Sequence, residues 1–214
     1  VTNEAVGAFN IRPLETYAGP EGANEYPYDT EAKAAHSLND AVSALWSGDE
    51  TTPTTVHVLR GVVTLDATIP VTRPISIVGA GADVSVVNGR NGGYQGFVLN
   101  HAAALMQGVC ISNVFYNFQD SSANGAGASI RNGTMRDCRV TRCHTGGAYQ
   151  SGAGLHVTGG LVTGTEIDNN YHNWSYASYG TGLYQTGGVV SNCWIHHNVD
   201  LCQNGAAGAT VAGG

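Results

Sequence analysis

Two segments of this chain, GAGLHVTGGLVTGTEIDNN (152–170) and GTGLYQTGGVVSNCWIHHN (180–198), are near-copies set 28 residues apart. No other feature restricts the fold as strongly. A period in this range belongs to stacked repeats, in which each copy buries its apolar side against its neighbours. Extending the alignment upstream places Val114, Cys138, Thr165 and Cys193 in one column, at intervals of 24, 27 and 28 residues. Two positions later the column reads Tyr116, Val140, Ile167 and Ile195, and three further on it reads Gln119, Cys143, Asn170 and Asn198. Gly127, Gly154 and Gly182 recur at intervals of 27 and 28. Within each copy, short runs of β-branched and aliphatic residues are bounded by Gly or Asn, which is the pattern of short strands.

The identity of the stack follows from what the repeat lacks and contains. No L-x-x-L-x-L string occurs, so a leucine-rich repeat is excluded. The chain has 30 glycines in 214 residues, about twice average usage, which suits tight corners and opposes helical bundles, where each interior Gly costs about 1 kcal/mol against Ala. Strand-like runs continue upstream as TVHVL, GVVTL, ISIVG, VSVVNG and GFVL. One helix interrupts the pattern: in DTEAKAAHSLNDAVSALWSGD, residues Ala34, Ala35, Leu38, Ala41, Val42, Leu45 and Trp46 fall on one helical face. Asp29 or Thr30 can serve as its N-cap and Gly48 as its stop. The expectation is an all-β, right-handed parallel β-helix with an N-terminal amphipathic helix capping its open first coil. Its boundaries are an extended lead-in at 1–29, the capping helix at 30–48 and the β-helix at 54–214. The last copy, GAAGATVAGG, ends without a polar cap. That predicts further coils downstream or end-to-end self-association through the exposed edge.

Charge narrows the partners. A net charge of −7 with only nine Lys and Arg residues opposes nucleic-acid binding, which needs a basic footprint. No apolar run approaches the roughly 20 residues of a membrane span. The five cysteines form no C-x-x-C pair and read as small buried apolar residues, and the histidines show no H-x-H or H-x-x-x-H spacing. The neighbours His196 and His197 should point to opposite sides of a regular strand, so no metal site is expected.

Chemistry can sit on the outward ladders. With Val140, Ile167 and Ile195 inward, Phe115, Arg139, Glu166 and Trp194 form one outward column, and Asn117, Thr141, Asp168 and His196 the next. Arg139, Glu166, Asp168 and His196 should therefore lie within one or two rungs of each other. Such a set can act as acid and base on a polysaccharide, or form a cross-rung ion pair on an ordinary surface. A second candidate is the loop NNYHNWSYASYG (169–180), where Tyr171, Trp174, Tyr176 and Tyr179 crowd together; these and Trp194 can stack on sugar rings, or cover an apolar flank. Four arginines, Arg131, Arg136, Arg139 and Arg142, fall within twelve residues, but turns between them need not leave them on one face.

The string YPYDTEAKAAHSLNDAVSAL followed by VHVLRGVVTL, PISIVGAG and GVCISN, with the later N-C-x-I-x-x-N at 192–198, resembles the bacterial secreted right-handed β-helix proteins of the pectin-lyase-like superfamily. The resemblance covers residues 25–214 and is closest to repeat-type surface and autotransporter-like members. It implies a secreted or bacterial cell-surface protein that meets a polysaccharide or cell-surface glycan. It does not supply catalytic residues: the NTD, DD, GHG and RIK strings of polygalacturonase-like members are absent, and CHTGG at 143–147 is only superficially close to the His motif. A lyase would need Ca²⁺, for which Asp137, Glu166 and Asp168 with Arg139 or Arg142 are the only set at hand; otherwise no cofactor is implied. The reading is a non-enzymatic adhesion or glycan-binding module. The alternative is a polysaccharide lyase or glycoside hydrolase.

Overall fold

The computed structural model describes residues 12–46, 51–117, 124–146, 150–173, 179–201 and 205–213. Their strands pair in parallel throughout and stack into four sheets, giving a β-solenoid of about five turns, consistent with a right-handed parallel β-helix. One coil shows the plan. Leu155–Val157, Leu161–Thr163, Glu166–Asp168 and Tyr171–His172 follow one another, and each belongs to a different face. Numbered in that order, face one has six strands, face two seven, face three six and face four four.

Strands this short can wind into a coil only if the corners turn sharply, and all four corners do so through left-handed residues, with Gly133, Gly160 and Gly188 between faces one and two and Gly125, Gly152 and Gly180 between faces four and one. Between faces two and three the positive φ falls on Gly108, Asp137, Gly164 and Asn192. Between faces three and four it falls on Asn113, Arg142, Asn169 and His197, at 51° to 54°. Gly, Asn and Asp enter that region cheaply and His more readily than most residues, whereas Arg carries the full steric cost of its Cβ.

The core runs along the axis as ladders of like side chains. On face three, Val63, Val87, Ile111, Val140 and Ile167 are each fully buried. On face two, Val56, Ile77, Met106, Met135 and Val162 do the same. Each such burial contributes about 1.5–3 kcal/mol. The last coil is covered on one side only, so Cys193, Val190 and Ile195 are only partly buried. Val189, Trp194, Val199 and Leu201 there are exposed.

The Asn column divides into two jobs. Asn170 and Asn198 point inward, and the left-handed turn is made one residue earlier, at Asn169 and His197. Asn170 is fully buried. Its Oδ1 accepts from Cys143 N at 2.9 Å, and its Nδ2 donates to Val140 O at 3.0 Å. Asn198 repeats the pattern one rung on, accepting from Asn170 N and donating to Ile167 O. Gly154 sits over this ladder, where a Cβ would come within 2.5 Å of Gly182 O and 2.9 Å of Asn170 Nδ2; hence the recurring Gly.

Three expectations change. The lead-in is not wholly irregular: Glu15–Ala18 is a strand that pairs with Thr54–Val58 and opens face two. The helix is broken into a 3₁₀ turn at Glu31–Lys33 and an α-helix at Leu38–Ala44. Ala34 and Ala35 satisfy a helical period but are drawn into the coil: Ala35 N donates to Tyr17 O and Ala35 O accepts from Gly19 N. The α-helix packs Leu38 and Ala41 into the core and is tied to the first strand by Thr16 Oγ1 donating to Ala41 O at 3.0 Å. Thr30 precedes the 3₁₀ turn without a side-chain capping bond, and Gly48 lies outside the described residues. Finally, the first copy is offset. Arg139 pairs with Cys110, not Phe115, and Thr141 with Ser112, not Asn117, so that interval is 29 residues. Val114 stands over Cys143, whose neighbour His144 donates to Val114 O.

Candidate functional site

Face three carries the outward residues singled out above, and parallel pairing puts them in register. Cys110, Arg139, Glu166 and Trp194 form one row; Ser112, Thr141, Asp168 and His196 form the other. The four polar side chains proposed for chemistry do converge. Arg139 reaches diagonally across one rung and clamps Asp168 with both nitrogens, Nε to Oδ1 at 2.9 Å and Nη2 to Oδ2 at 2.7 Å. Glu166 lies between two cations or donors, 3.6 Å from Arg139 Nε and 3.0 Å from His196 Nε2. Asn169 Nδ2 also donates to Asp168 Oδ2.

The electrostatics follow from burial. Asp168 is fully buried, which by itself raises a carboxyl pKa. The hydrogen bonds and charge of Arg139, with Asn169 and Thr141, outweigh that and hold Asp168 below its ordinary value. The same hydrogen bonding raises Arg139 further still. Asp168 is thus a fixed anion, unsuited to deliver a proton at neutral pH. Glu166 and His196 form a carboxylate–imidazole pair in which Glu166 accepts from Nε2, leaving Nδ1 of His196 as the acceptor nitrogen of the ring.

Above this network lies Trp194, 65% exposed, with its ring centroid 3.9 Å from that of His196. Beginning one rung away and reaching three rungs or more along the same face is a cleft of about 240 Å³ lined by Cys110, Ser112, Thr141, Arg139, Arg142 and Asn169, among others. Arg142 reaches it from the left-handed corner. Of the four neighbouring arginines, Arg139 and Arg142 share this cleft, while Arg136 donates to Gln107 Oε1 elsewhere. Of the carboxylates a lyase could use for Ca²⁺, Asp168 is engaged by Arg139 through both oxygens. Among the described residues, no group of three or more His, Cys, Asp or Glu side chains is placed to hold a metal ion. Cys110, Cys138, Cys143 and Cys193 are free thiols; burial pushes Cys138 and Cys143 up to about 12 and Cys110 to about 11, so none is a ready nucleophile.

The aromatic residues do not gather in one place. Tyr171 belongs to face four, where Phe115, His144 and Tyr171 stack at 4.3 and 4.4 Å between centroids. Tyr179 stacks on Tyr184 at 6.0 Å, and Tyr184 on His156 at 5.2 Å, on face one. Trp194 is on face three. Trp174 and Tyr176 lie outside the described residues. Sequence pattern did not reveal the aromatic stack of face four, because its register depends on pairing Phe115 with His144 across the offset first copy.

His196 and His197 also depart from expectation. The left-handed φ of His197 swings its ring to the same side as His196, and their Nδ1 atoms lie 2.5 Å apart.

By its fold the chain is a parallel β-solenoid protein with a polar, aromatic-topped outer face. Comparison with family models, with curated proteins and with solved structures yields no match.

Proposed function

We propose that this chain is a non-enzymatic, secreted or surface-displayed β-helix module that binds a glycan on face three. The observation that carries the reading is Trp194. A solvent-facing indole held against His196, itself fixed through Glu166, Arg139 and Asp168, is a rigid platform for the apolar face of a sugar ring. Asn169, one rung from it, Thr141 and Arg142, two rungs, and Ser112, three rungs along the same side of the coil, offer donors to hydroxyl oxygens. The scaffold's resemblance to pectin-lyase-like proteins, and to their surface and adhesin-type members, supports the same reading. The test is binding of the purified chain to an immobilised glycan panel, with Trp194→Ala and Arg142→Ala alongside. Retention that falls at least tenfold in Trp194→Ala supports it. Retention unchanged in both variants, or none by the parent chain, overturns it.

A second reading, a polysaccharide lyase or glycoside hydrolase, is favoured by one observation only: the 3.0 Å Glu166–His196 pair, which orients an imidazole beside an open face. Release of unsaturated or reducing-sugar products from a polysaccharide panel, abolished in His196→Gln, would establish it over the first.

A further inference from the structure

A two-histidine arrangement lies at the edge of face three, and it goes beyond glycan recognition. His197 occupies the corner position that Asn113 and Asn169 hold in other coils. Among the described residues, this is the one left-handed corner that carries an imidazole, and the residue before it is also a histidine. In the tautomer whose Nε2 donates to Glu166, Nδ1 of His196 is the acceptor nitrogen. It faces Nδ1 of His197 at 2.5 Å. At this distance one proton, carried by His197, bridges the two nitrogens, and a divalent cation can take that proton's place between them. The His196 ring is braced on its other side by Trp194.

We infer that His196 and His197 form a binding site for a divalent transition metal of the imidazole-preferring kind, Cu²⁺, Ni²⁺ or Zn²⁺. Both Nδ1 atoms are the ligands, and Glu166 is the outer carboxylate that fixes the tautomer and orientation of His196, as in carboxylate–histidine–metal arrangements. At metal–nitrogen distances of about 2.0–2.1 Å, adjacent ligands lie about 2.9 Å apart on square-planar Cu²⁺ or Ni²⁺ and about 3.4 Å apart on tetrahedral Zn²⁺. The exposed His197 ring therefore needs to open by about 0.4 Å for Cu²⁺ or Ni²⁺ and about 0.9 Å for Zn²⁺. With two protein ligands the remaining coordination positions face solvent, where water or an oxygen donor of a bound molecule can fill them.

The experiment is titration of the metal-free chain with Cu²⁺ and Ni²⁺ by calorimetry, with electron paramagnetic resonance of the Cu²⁺ form. The variants are His197→Asn, Glu166→Gln and Trp194→Phe. His197→Asn keeps a residue suited to the left-handed corner, so its far-ultraviolet circular dichroism should match the parent. The expected result is one tight equivalent with nitrogen hyperfine splitting, weakened at least tenfold in His197→Asn and about tenfold in Glu166→Gln. Cu²⁺ should also quench tryptophan emission less in Trp194→Phe than in the parent. An affinity unchanged in a folded His197→Asn would overturn the inference, placing the metal on other histidines, as would an absence of any stoichiometric binding. Neither outcome bears on glycan retention, which Trp194→Ala tests in the absence of metal.

Discussion

Replacing Arg139 with Met isolates what the clamp on Asp168 is worth. The variant keeps the apolar stem but removes two charge-assisted hydrogen bonds, at 2.9 and 2.7 Å, from a carboxylate with no exposed surface. Breaking a buried ion pair by deleting one partner costs about 3–5 kcal/mol. The Arg139 side chain is itself 34% exposed, so solvent shares in its solvation and the lower end, about 3 kcal/mol at pH 7, is the expectation. The pH dependence is the sharper discriminator. In the parent, Asp168 sits below its ordinary pKa. Its contribution is therefore present above the unfolded value and is lost as pH falls through the folded one. In Arg139→Met burial dominates and the folded pKa moves above the ordinary carboxylate value. The variant's ionisation penalty then builds as pH rises from the unfolded carboxylate value to that raised value, and is absent below the unfolded value. The gap between parent and variant should accordingly narrow as pH drops from 6 toward 3. Urea unfolding across that range measures the gap directly, and contributions common to both chains cancel in the difference. A gap under about 1 kcal/mol at pH 7, or one constant with pH, would refute the argument that Asp168 is a buried anion stabilised by Arg139.

Two further predictions concern the scaffold. Burial holds His144 and His156 down to about 4, with Arg131 adding to the effect at His156. Since the unfolded chain takes up these protons near pH 6.5 and the folded chain does not until about 4, stability should fall across that window by up to about 3 kcal/mol per histidine. Thermal unfolding of His144→Phe, which preserves the face-four stack, should be less sensitive to acid than the parent; superimposable pH curves would sink this account. Asn170→Ala strands the Cys143 N–H and the Val140 carbonyl inside the coil, at about 1–3 kcal/mol for each buried group. Asn198→Ala, in the part-open last coil, should cost less in the same denaturant titration, and an equal or larger loss would contradict the burial argument.

The repeat made the solenoid legible because stacked coils need inward and outward positions to alternate in step. Val140, Ile167 and Ile195 lead correctly to Arg139, Glu166, Asp168 and His196 on one outer face. The same logic misplaced the first copy. Val114 and Val109 are both small, apolar and inward, so a pattern of hydrophobicity fits either register, and only backbone pairing chooses Cys110 as the partner of Arg139. The helix was overextended for a related reason: Ala34 and Ala35 suit a helical face and a close-packed coil equally well. Backbone sign was invisible as well. Nothing in the letters HH announces that His197 is left-handed and lies alongside His196 instead of opposite it. The Arg139–Asp168 clamp was missed because the nearest partner by column is Glu166; the diagonal contact depends on the reach of a long guanidinium side chain.

The corner row Asn113, Arg142, Asn169, His197 has a consequence for how such a protein can change. Four successive coils present this position with the same left-handed backbone, one rung of about 4.8 Å from the next, and the packing beneath it is carried by the residue that follows. A substitution here alters what the surface displays while leaving the interior ladder untouched, at a conformational cost of about 1–2 kcal/mol when Asn gives way to a bulkier residue. The row therefore works as a set of sockets that selection can refill one at a time. Arg142 and His197 are two refillings in which the chain has accepted local strain in exchange for a new chemical group at its rim.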